Sequence, residues 1–196
     1  MKLRALSAAA AAALALSASD TATAATVVID FDTLTNNAAV NQFYNGGVDS
    51  LGLAGIDFGI EFINFKAGTA AASVSAPNYG YLPAALGKIN VAAGFTGFDF
   101  SYGTLAPTTV SVYSGLNGTG TLLGQMVVNG NAGLFAQGAL AFSGVAHSVT
   151  LAGTPNLAAV DNLRFVMALP VPEPGTLGLM LAGFGVLGLF GRRRLT

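Results

Sequence analysis

The sequence predicts an all-β domain, an antiparallel β-sandwich of the jelly-roll type, flanked by an N-terminal signal helix and a C-terminal transmembrane helix. Two observations support the sandwich. Short runs rich in β-branched and aromatic residues recur along the middle of the chain, and several alternate apolar with polar positions. Clusters of Gly, Asn and Pro separate these runs, and no helical periodicity competes with them. Many short strands at this spacing favour a sandwich.

The first element is a secretory signal peptide over residues 1–24. Lys2 and Arg4 form a basic start, residues 5–16 form an apolar run, and small residues at Ala22 and Ala24 form a cleavage site. A cut one residue later is the alternative. The apolar run is too short to stay as a permanent anchor, so the sequence predicts export.

The β-sandwich domain is predicted to span residues 25–168. It opens with a strand over Thr26–Phe31, and residues 56–65 alternate so that Ile56, Phe58, Ile60 and Phe62 share one apolar face. Phe98, Phe100 and Tyr102 alternate in the same way. Further strands are expected over residues 108–113, 121–128, 148–151 and 163–166, and turns at residues 45–47, 77–80, 117–120, 129–131 and 153–156. Residues 112–124 are predicted to form a hairpin with a glycine-rich loop.

Composition restricts the chemistry of this domain. The chain has no cysteine, so it has neither disulfides nor a thiol for catalysis or metal binding. Between the terminal segments, seven acidic residues against three basic ones give a net charge of −4. Without a basic patch, the domain lacks the electrostatic footprint of a nucleic-acid-binding protein.

The C-terminal segment has three parts. Residues 169–174 form a linker with the tripeptide Pro172-Glu173-Pro174, whose prolines prevent a helix or strand from continuing. Residues 175–191 are apolar, and a helix of this length spans about 25 Å, enough for a short transmembrane helix. Residues 192–196 carry Arg192, Arg193 and Arg194, which predict a cytoplasmic end and place the preceding domain outside the inner membrane.

These three parts, in this order, resemble the PEP-CTERM sorting signal of Gram-negative bacteria. The resemblance implies recognition by an exosortase, a membrane cysteine transpeptidase, and cleavage near Pro172-Glu173-Pro174. It also implies transient anchoring in the inner membrane, followed by a location at the cell surface or outside the cell. A tail of this type is also labelled after ice-binding proteins, and it gives no evidence for binding ice. A plain single-pass anchor is the alternative interpretation.

The opening strand, the hairpin and a closing strand over residues 160–165 resemble the galactose-binding-like carbohydrate modules that often precede this tail. First and last strands often neighbour each other in such sandwiches. Asp30, Asp32, Asp161 and Asn162 would then offer oxygens for a structural calcium ion, the one cofactor that we consider. The alternative is that Asp30 and Asp32 lie on a polar face and that Asp161 accepts hydrogen bonds from turn amides.

Aromatic residues are the candidate ligand contacts. Tyr44, Tyr79, Tyr81 and Tyr102 are available for a carbohydrate groove, and Tyr79 and Tyr81 fall in a predicted turn that could display their rings. The chain has no tryptophan, which weakens this interpretation. The alternative is that these tyrosines close the ends of the sandwich, with their hydroxyl groups at the rim.

No catalytic residue is predicted. His147 is the only histidine and no Gly-x-Ser-x-Gly motif accompanies it, while Asp57 and Glu61 would lie about 13 Å apart on one strand. We therefore expect an exported, non-enzymatic surface or matrix protein, associated with exopolysaccharide or biofilm. A carbohydrate-binding module for exopolysaccharide is the alternative, and a small hydrolase is disfavoured by the missing site residues.

Overall fold

The computed structural model describes residues 24–70, 73–132 and 134–168, and these contain ten strands and one short 3₁₀ helix. All strand pairings between them are antiparallel. The 3₁₀ helix, Leu116–Gly118, lies between the sixth and seventh strands. The strands are β1 (Thr26–Ile29), β2 (Ile60–Ile63), β3 (Lys66–Thr69), β4 (Asn78–Tyr81), β5 (Leu86–Thr104), β6 (Thr108–Tyr113), β7 (Leu122–Val128), β8 (Ala136–Leu140), β9 (Ala146–Ala152) and β10 (Ala158–Met167).

The longest strand, β5, belongs to both halves of the sandwich. Its first part pairs with β2 on one edge and with β9 on the other, and the sheet continues from β9 through β6 to β7. Its second part pairs with β8 and β10. From β10 the sheet continues to β4 and β3, and β1 lies beside the other end of β10. Most neighbouring strands are therefore distant in sequence, as the jelly-roll type requires.

The two parts of β5 meet at an irregular segment around Gly94. The register between β5 and β9 shifts between Asn90 and Phe95. Gly94 has a φ of 78°, a left-handed conformation that costs alanine about 1–2 kcal/mol. A Cβ atom at Gly94 would also lie 2.5 Å from Cγ1 of Val145. A glycine is thus required where β5 passes from one half to the other.

The inner faces of both halves form one hydrophobic core. Aromatic rings meet edge to face within it, with centroids 5.3 Å apart for Phe95 and Phe165 and 5.3 Å apart for Phe62 and Phe65. The prediction of an all-β antiparallel sandwich is confirmed. The largest fully buried side chains are Phe31, Phe43, Phe62, Phe65, Phe95, Phe100, Phe165, Ile29, Ile60, Leu82, Ile89 and Leu151.

The strand predicted over residues 56–65 is wrong in its extent, because left-handed residues bound it. Gly59 has a φ of 67° and Asn64 a φ of 60°, so only Ile60–Ile63 is extended as β2. Ile56, predicted on the buried face, is 47% exposed. Phe65, predicted on the polar face, is buried next to Phe62, because the reversal at Asn64 breaks the period-two pattern.

The turn predicted over residues 77–80 is instead the start of β4. This strand is paired on both edges, with Gly68 opposite Tyr79 on β3 and with Val160 opposite Gly80 on β10. The ring of Phe31 packs against Gly80, where a Cβ atom would lie 2.6 Å from Cζ of the ring. Hydrogen bonds to two neighbouring strands thus override the local turn preference of Pro, Asn and Gly.

Other predicted elements agree with the structure. The strand over residues 108–113 has the predicted bounds, and it forms a hairpin with β7 across the glycine-rich loop. The first and last strands are neighbours, with Thr26 opposite Val166 and Ile29 opposite Leu163. The first strand ends at Ile29 rather than Phe31, because Phe31 is left-handed with a φ of 63°.

Several predictions concern residues outside the described ranges. These are the signal helix and Ala22, the sorting tripeptide Pro172-Glu173-Pro174, the transmembrane helix, and Arg192, Arg193 and Arg194. Ala24, the other residue of the predicted cleavage site, lies within the described ranges. It is exposed and lies two residues before β1. Among residues 24–70, 73–132 and 134–168, no helix has the length and apolar character needed to cross a bilayer. The domain boundaries stay predictions.

Substitution at the junction of β5 tests this account of the fold. We expect Gly94→Ala to lower the free energy of unfolding by about 1–3 kcal/mol, because it adds left-handed strain and a close contact with Val145. Gly97→Ala, on the same strand, is the control. Its φ is not left-handed and its Cβ would lie 3.1 Å from the nearest atom, Cγ2 of Val166. Urea denaturation of the two variants measures the difference, and equal losses would contradict the role of Gly94.

Candidate functional site

A cleft of about 580 Å³ opens beside the first residues of β10. It lies on the face of β3, β4 and β10 that is turned away from the core, and loops from other parts of the chain form its rim. A cleft of this size falls within the range of small-ligand sites. The lining includes Asn36, Asn37, Gly68, Tyr79, Tyr81 and Phe135.

Three aromatic rings form one wall of the cleft. Tyr79 and Tyr81 project from β4 on the same face, because they are two residues apart on a strand. Their ring centroids are 6.3 Å apart, and the Tyr79 ring lies 6.2 Å from that of Phe135, which precedes β8. All three residues are half-buried, so one face of the cluster is supported by the protein and part of it faces solvent.

The floor under these rings is made of small residues. At Gly68 on β3, a Cβ atom would lie 2.6 Å from Cζ and 2.8 Å from the hydroxyl oxygen of Tyr79. The ring of Tyr79 therefore rests directly on the backbone of β3. Gly103 on β5 and Ala159 on β10 continue the small-residue lining. Space for a ligand exists because Gly68, Gly103 and Ala159 place no large side chain in the cleft.

Asparagine side chains supply polar groups at the rim. Asn37 and Asn156 are exposed and both have left-handed backbone conformations, with φ of 66° and 60°. Backbone hydrogen bonds hold these positions, from the Asn37 amide to the Ala67 carbonyl at 2.8 Å and from the Asn156 amide to the Leu82 carbonyl at 2.7 Å. The hydroxyl group of Tyr81 donates to Oδ1 of Asn37 at 3.4 Å. The rim is thus fixed by the fold.

The sequence identified part of this site. Tyr79 and Tyr81 were candidate ligand contacts, and both line the cleft. Phe135 was missed, although an aromatic residue at the end of a Gly- and Asn-rich loop is a recognisable signal. Tyr44 was counted as available, but it is only 2% exposed, and burial raises the pKa of its hydroxyl. Tyr102 packs against Phe100 with ring centroids 5.9 Å apart and does not line the cleft.

The Ser75 hydroxyl group contacts both the Asp161 carboxylate and the Asp30 carbonyl, but the carboxylates among the calcium candidates already accept hydrogen bonds from the chain. The amide of Ser75 donates to Asp161 at 3.0 Å, and the amide of Asn162 donates to the same carboxylate at 2.8 Å. Asp32 accepts from the Asn78 amide at 2.9 Å, and Asp30 accepts from the Asp32 amide at 3.2 Å. Asp161 thus anchors the segment that leads into β4.

Calcium would have to compete with these donors. Burial raises the pKa of the Asp161 carboxyl, so the ionised form that a metal requires is less favoured than at the surface. Among the described residues, no three Asp, Glu or His side chains converge in a metal-binding group. The calcium site stays a prediction.

Acidic and imidazole side chains lie outside the cleft. Glu61 accepts hydrogen bonds from Gln42 and from Asn90, the latter at 2.8 Å, in the other half of the sandwich. Asp57 caps a turn by accepting from the Gly59 amide at 3.0 Å. Nδ1 of His147 lies 2.9 Å from the Ser114 carbonyl oxygen. Each of these groups has a local structural partner.

Comparison with known families concerns the C-terminal segment. A family model for the PEP-CTERM protein-sorting motif matches residues 170–194. The chain carries a PEP-CTERM sorting motif. The match includes the tripeptide Pro172-Glu173-Pro174 and the arginines Arg192, Arg193 and Arg194, so the resemblance found in the sequence is confirmed.

Comparison with solved structures concerns the sandwich that precedes the PEP-CTERM motif. A family 6 carbohydrate-binding module is 18% identical with a TM-score of 0.39, covering 54% of this chain and 83% of the module. A family 6 module from Clostridium stercorarium in complex with cellobiose is 15% identical with a TM-score of 0.39, covering 55% and 87%. A mutant of a family 29 module is 10% identical with a TM-score of 0.44, covering 73% and 92%. No curated protein matches the chain.

A metal titration tests the calcium prediction for this protein. Because the carboxylates of Asp32 and Asp161 already accept backbone N–H groups, we expect the melting temperature to be the same in EDTA and in millimolar calcium. Differential scanning calorimetry measures both states. An increase of several degrees in calcium, lost in Asp161→Asn but kept in Asp99→Asn, would instead establish the site. Asp99 is a suitable control because it forms only an exposed ion pair with Arg164.

Proposed function

We propose that this protein is exported, and that its β-sandwich binds carbohydrate in the cleft without acting on it chemically. The observation that carries the proposal is the cluster of three half-buried aromatic rings beside exposed asparagine side chains. Of the functions considered from the sequence, the carbohydrate-binding alternative is the one that this geometry favours.

Aromatic rings and amides together match the two kinds of surface on a sugar. A pyranose ring has faces of C–H groups, which can pack on an aromatic face, and a rim of hydroxyl groups, which donate and accept hydrogen bonds. Tyr79, Tyr81 and Phe135 offer the apolar surface. Asn36, Asn37 and Asn156 offer amides that can both donate and accept. Apolar walls with a few fixed polar groups are typical of ligand sites.

The cleft is also arranged before any ligand arrives. The ring of Tyr79 rests on Gly68, and backbone hydrogen bonds hold Asn37 and Asn156 in place. A binding site with fixed walls loses less conformational entropy when a ligand binds. The low entropy cost of a preformed cleft supports ligand binding, although the chain has no tryptophan and few charged residues.

The composition of the cleft supports a non-catalytic role. Glycoside hydrolysis uses a pair of carboxyl groups on either side of the scissile bond. Among the described residues that line the cleft, none is acidic and none is histidine. Glu61 and Asp57 are engaged elsewhere, by Asn90 and by the Gly59 amide. Turnover of a glycan that disappears in Glu61→Gln would contradict this part of the proposal.

Export and processing form the second part of the proposal. The signal peptide directs the chain across the inner membrane, and the PEP-CTERM motif makes it a substrate for exosortase. The protein is then transiently anchored, cleaved near Pro172-Glu173-Pro174, and located at the cell surface or in an exopolysaccharide matrix. The two ends of the domain lie together, since the Met167 amide donates to the Ala25 carbonyl at 2.8 Å. Both cleavage segments therefore leave the sandwich at one end.

Substitution of the aromatic wall tests the binding site. We expect Tyr79→Ala and Tyr81→Ala each to weaken retention on the exopolysaccharide of the producing organism by about tenfold, or about 1.4 kcal/mol, because each removes stacking surface. Affinity electrophoresis in gels containing the polysaccharide measures retention. Tyr113→Ala is the control, since Tyr113 is a half-buried tyrosine on β6 that does not line the cleft.

A second variant tests whether the position of the Tyr79 ring matters for binding, and not only its presence. Gly68→Ala keeps every aromatic residue, but its Cβ would displace the Tyr79 ring from the floor. We expect weaker retention in this variant with an unchanged melting temperature. Retention that is lost in Tyr113→Ala, and kept in the Tyr79 and Tyr81 variants, would contradict the assignment of the cleft.

The mass and location of the mature protein test the sorting proposal. With exosortase present, we expect an extracellular product that begins at Ala25 and ends near Pro172-Glu173-Pro174, measured by intact mass spectrometry. Without exosortase, the product should retain residues 175–196 in the membrane fraction. A product that keeps Arg192, Arg193 and Arg194 in both strains would instead indicate a plain single-pass anchor.

A further inference from the structure

We infer that the cleft takes an uncharged glycan and excludes acidic polysaccharides that carry uronate or sulfate groups. This inference rests on the proposed function and adds the chemical class of the ligand. It follows from the charges in and around the cleft. The polar groups that the described lining presents are amide side chains, hydroxyl groups and backbone atoms, and none of its residues is basic or acidic.

The charged groups on the neighbouring strands lie outside the lining of the cleft. Lys66 lies opposite Tyr81 on β3, so it is on the same face of the sheet as the cleft, but it does not line the cleft. Arg164 is on β10, where its Nε is 2.7 Å from the carboxylate of Asp99, so the two charges largely cancel. The carboxylate of Asp161 accepts hydrogen bonds from Ser75 and Asn162. The lining thus has no cation of its own to pair with an anionic sugar.

The anionic groups of an acidic polysaccharide would therefore lose their hydration in the cleft without gaining an oppositely charged partner. Moving a carboxylate out of water is costly unless a charged or strongly donating group replaces its hydration. The exported domain also carries a net charge of −4, which repels a polyanion at low ionic strength. A neutral sugar has neither cost, because asparagine amides and tyrosine hydroxyl groups can satisfy its hydroxyl groups.

The experiment uses the exported protein recovered from its own host. The extracellular polysaccharide of that host is separated by anion exchange into a neutral and an acidic fraction, and retention on each is measured by affinity electrophoresis. We expect retention by the neutral fraction at least about tenfold stronger than by the acidic one. We also expect this retention to be the same at low salt and at about 0.5 M salt, since no ion pair contributes to it.

A charge added at the rim tests the physical reason. Asn36 is exposed in the cleft lining and its φ is not left-handed, so it accepts other side chains. We expect Asn36→Arg to gain retention on the acidic fraction at low salt and to lose that gain at about 0.5 M salt. Asn36→Gln is the matched control, since it keeps an uncharged amide, and its retention on the acidic fraction should not rise at low salt. No gain in Asn36→Arg would overturn the argument from charge.

The outcomes distinguish this inference from the proposed function. Strong retention on the acidic fraction that disappears in Tyr79→Ala would overturn the uncharged ligand and leave carbohydrate binding at the cleft in place. Retention on either fraction that is unaffected by Tyr79→Ala would overturn the cleft as the binding site. Retention on neither fraction would overturn the proposed function, and the inference with it.

Discussion

The pairing of β5 on both edges is the constraint on which the rest of the structure depends. This single 19-residue strand pairs with β2 and β9 in its first part and with β8 and β10 in its second. Gly94 permits the irregular passage between the two parts, because a left-handed backbone is least costly for glycine and a Cβ atom there would contact Val145. Since β10 takes its register from β5, and β4 takes its register from β10, the positions of Tyr79 and Tyr81 follow from this pairing. The cleft is thus built by long-range strand order.

The strand β10 links the cleft to the point where the chain leaves the domain. Its first residues, Ala158 and Ala159, line the cleft, and its last residue, Met167, bonds to Ala25. At about 3.3 Å per residue, the two ends of this strand are separated by roughly 30 Å. The cleft and the two chain ends of the described domain thus lie at opposite ends of β10.

Much of the fold, and a smaller part of the site, could be predicted from the sequence. The strand of residues 108–113 and the hairpin with β7 follow from local composition and alternation. The pairing of first and last strands was predicted from the resemblance to sandwich domains and is present. The strand β4 could not be predicted, since its Pro- and Gly-rich sequence favours a turn until β3 and β10 pair with it. The exposure of Tyr44 was misjudged for a related reason. Its ring is buried against Phe43 and Phe62, which lie one and 18 residues away along the chain.

The sequence by itself identified the sorting motif of this protein, because sorting signals are read as short linear segments. No fold is needed to recognise the tripeptide Pro172-Glu173-Pro174, the apolar run and the three arginines, or the predicted signal peptide. Only the tertiary structure decided which tyrosines share a cleft and that Phe135 joins them, since Tyr79 and Phe135 are far apart in sequence. It also decided that Asp161 holds the Ser75 segment through hydrogen bonds. Such contacts depend on strand order, which residue composition does not encode locally.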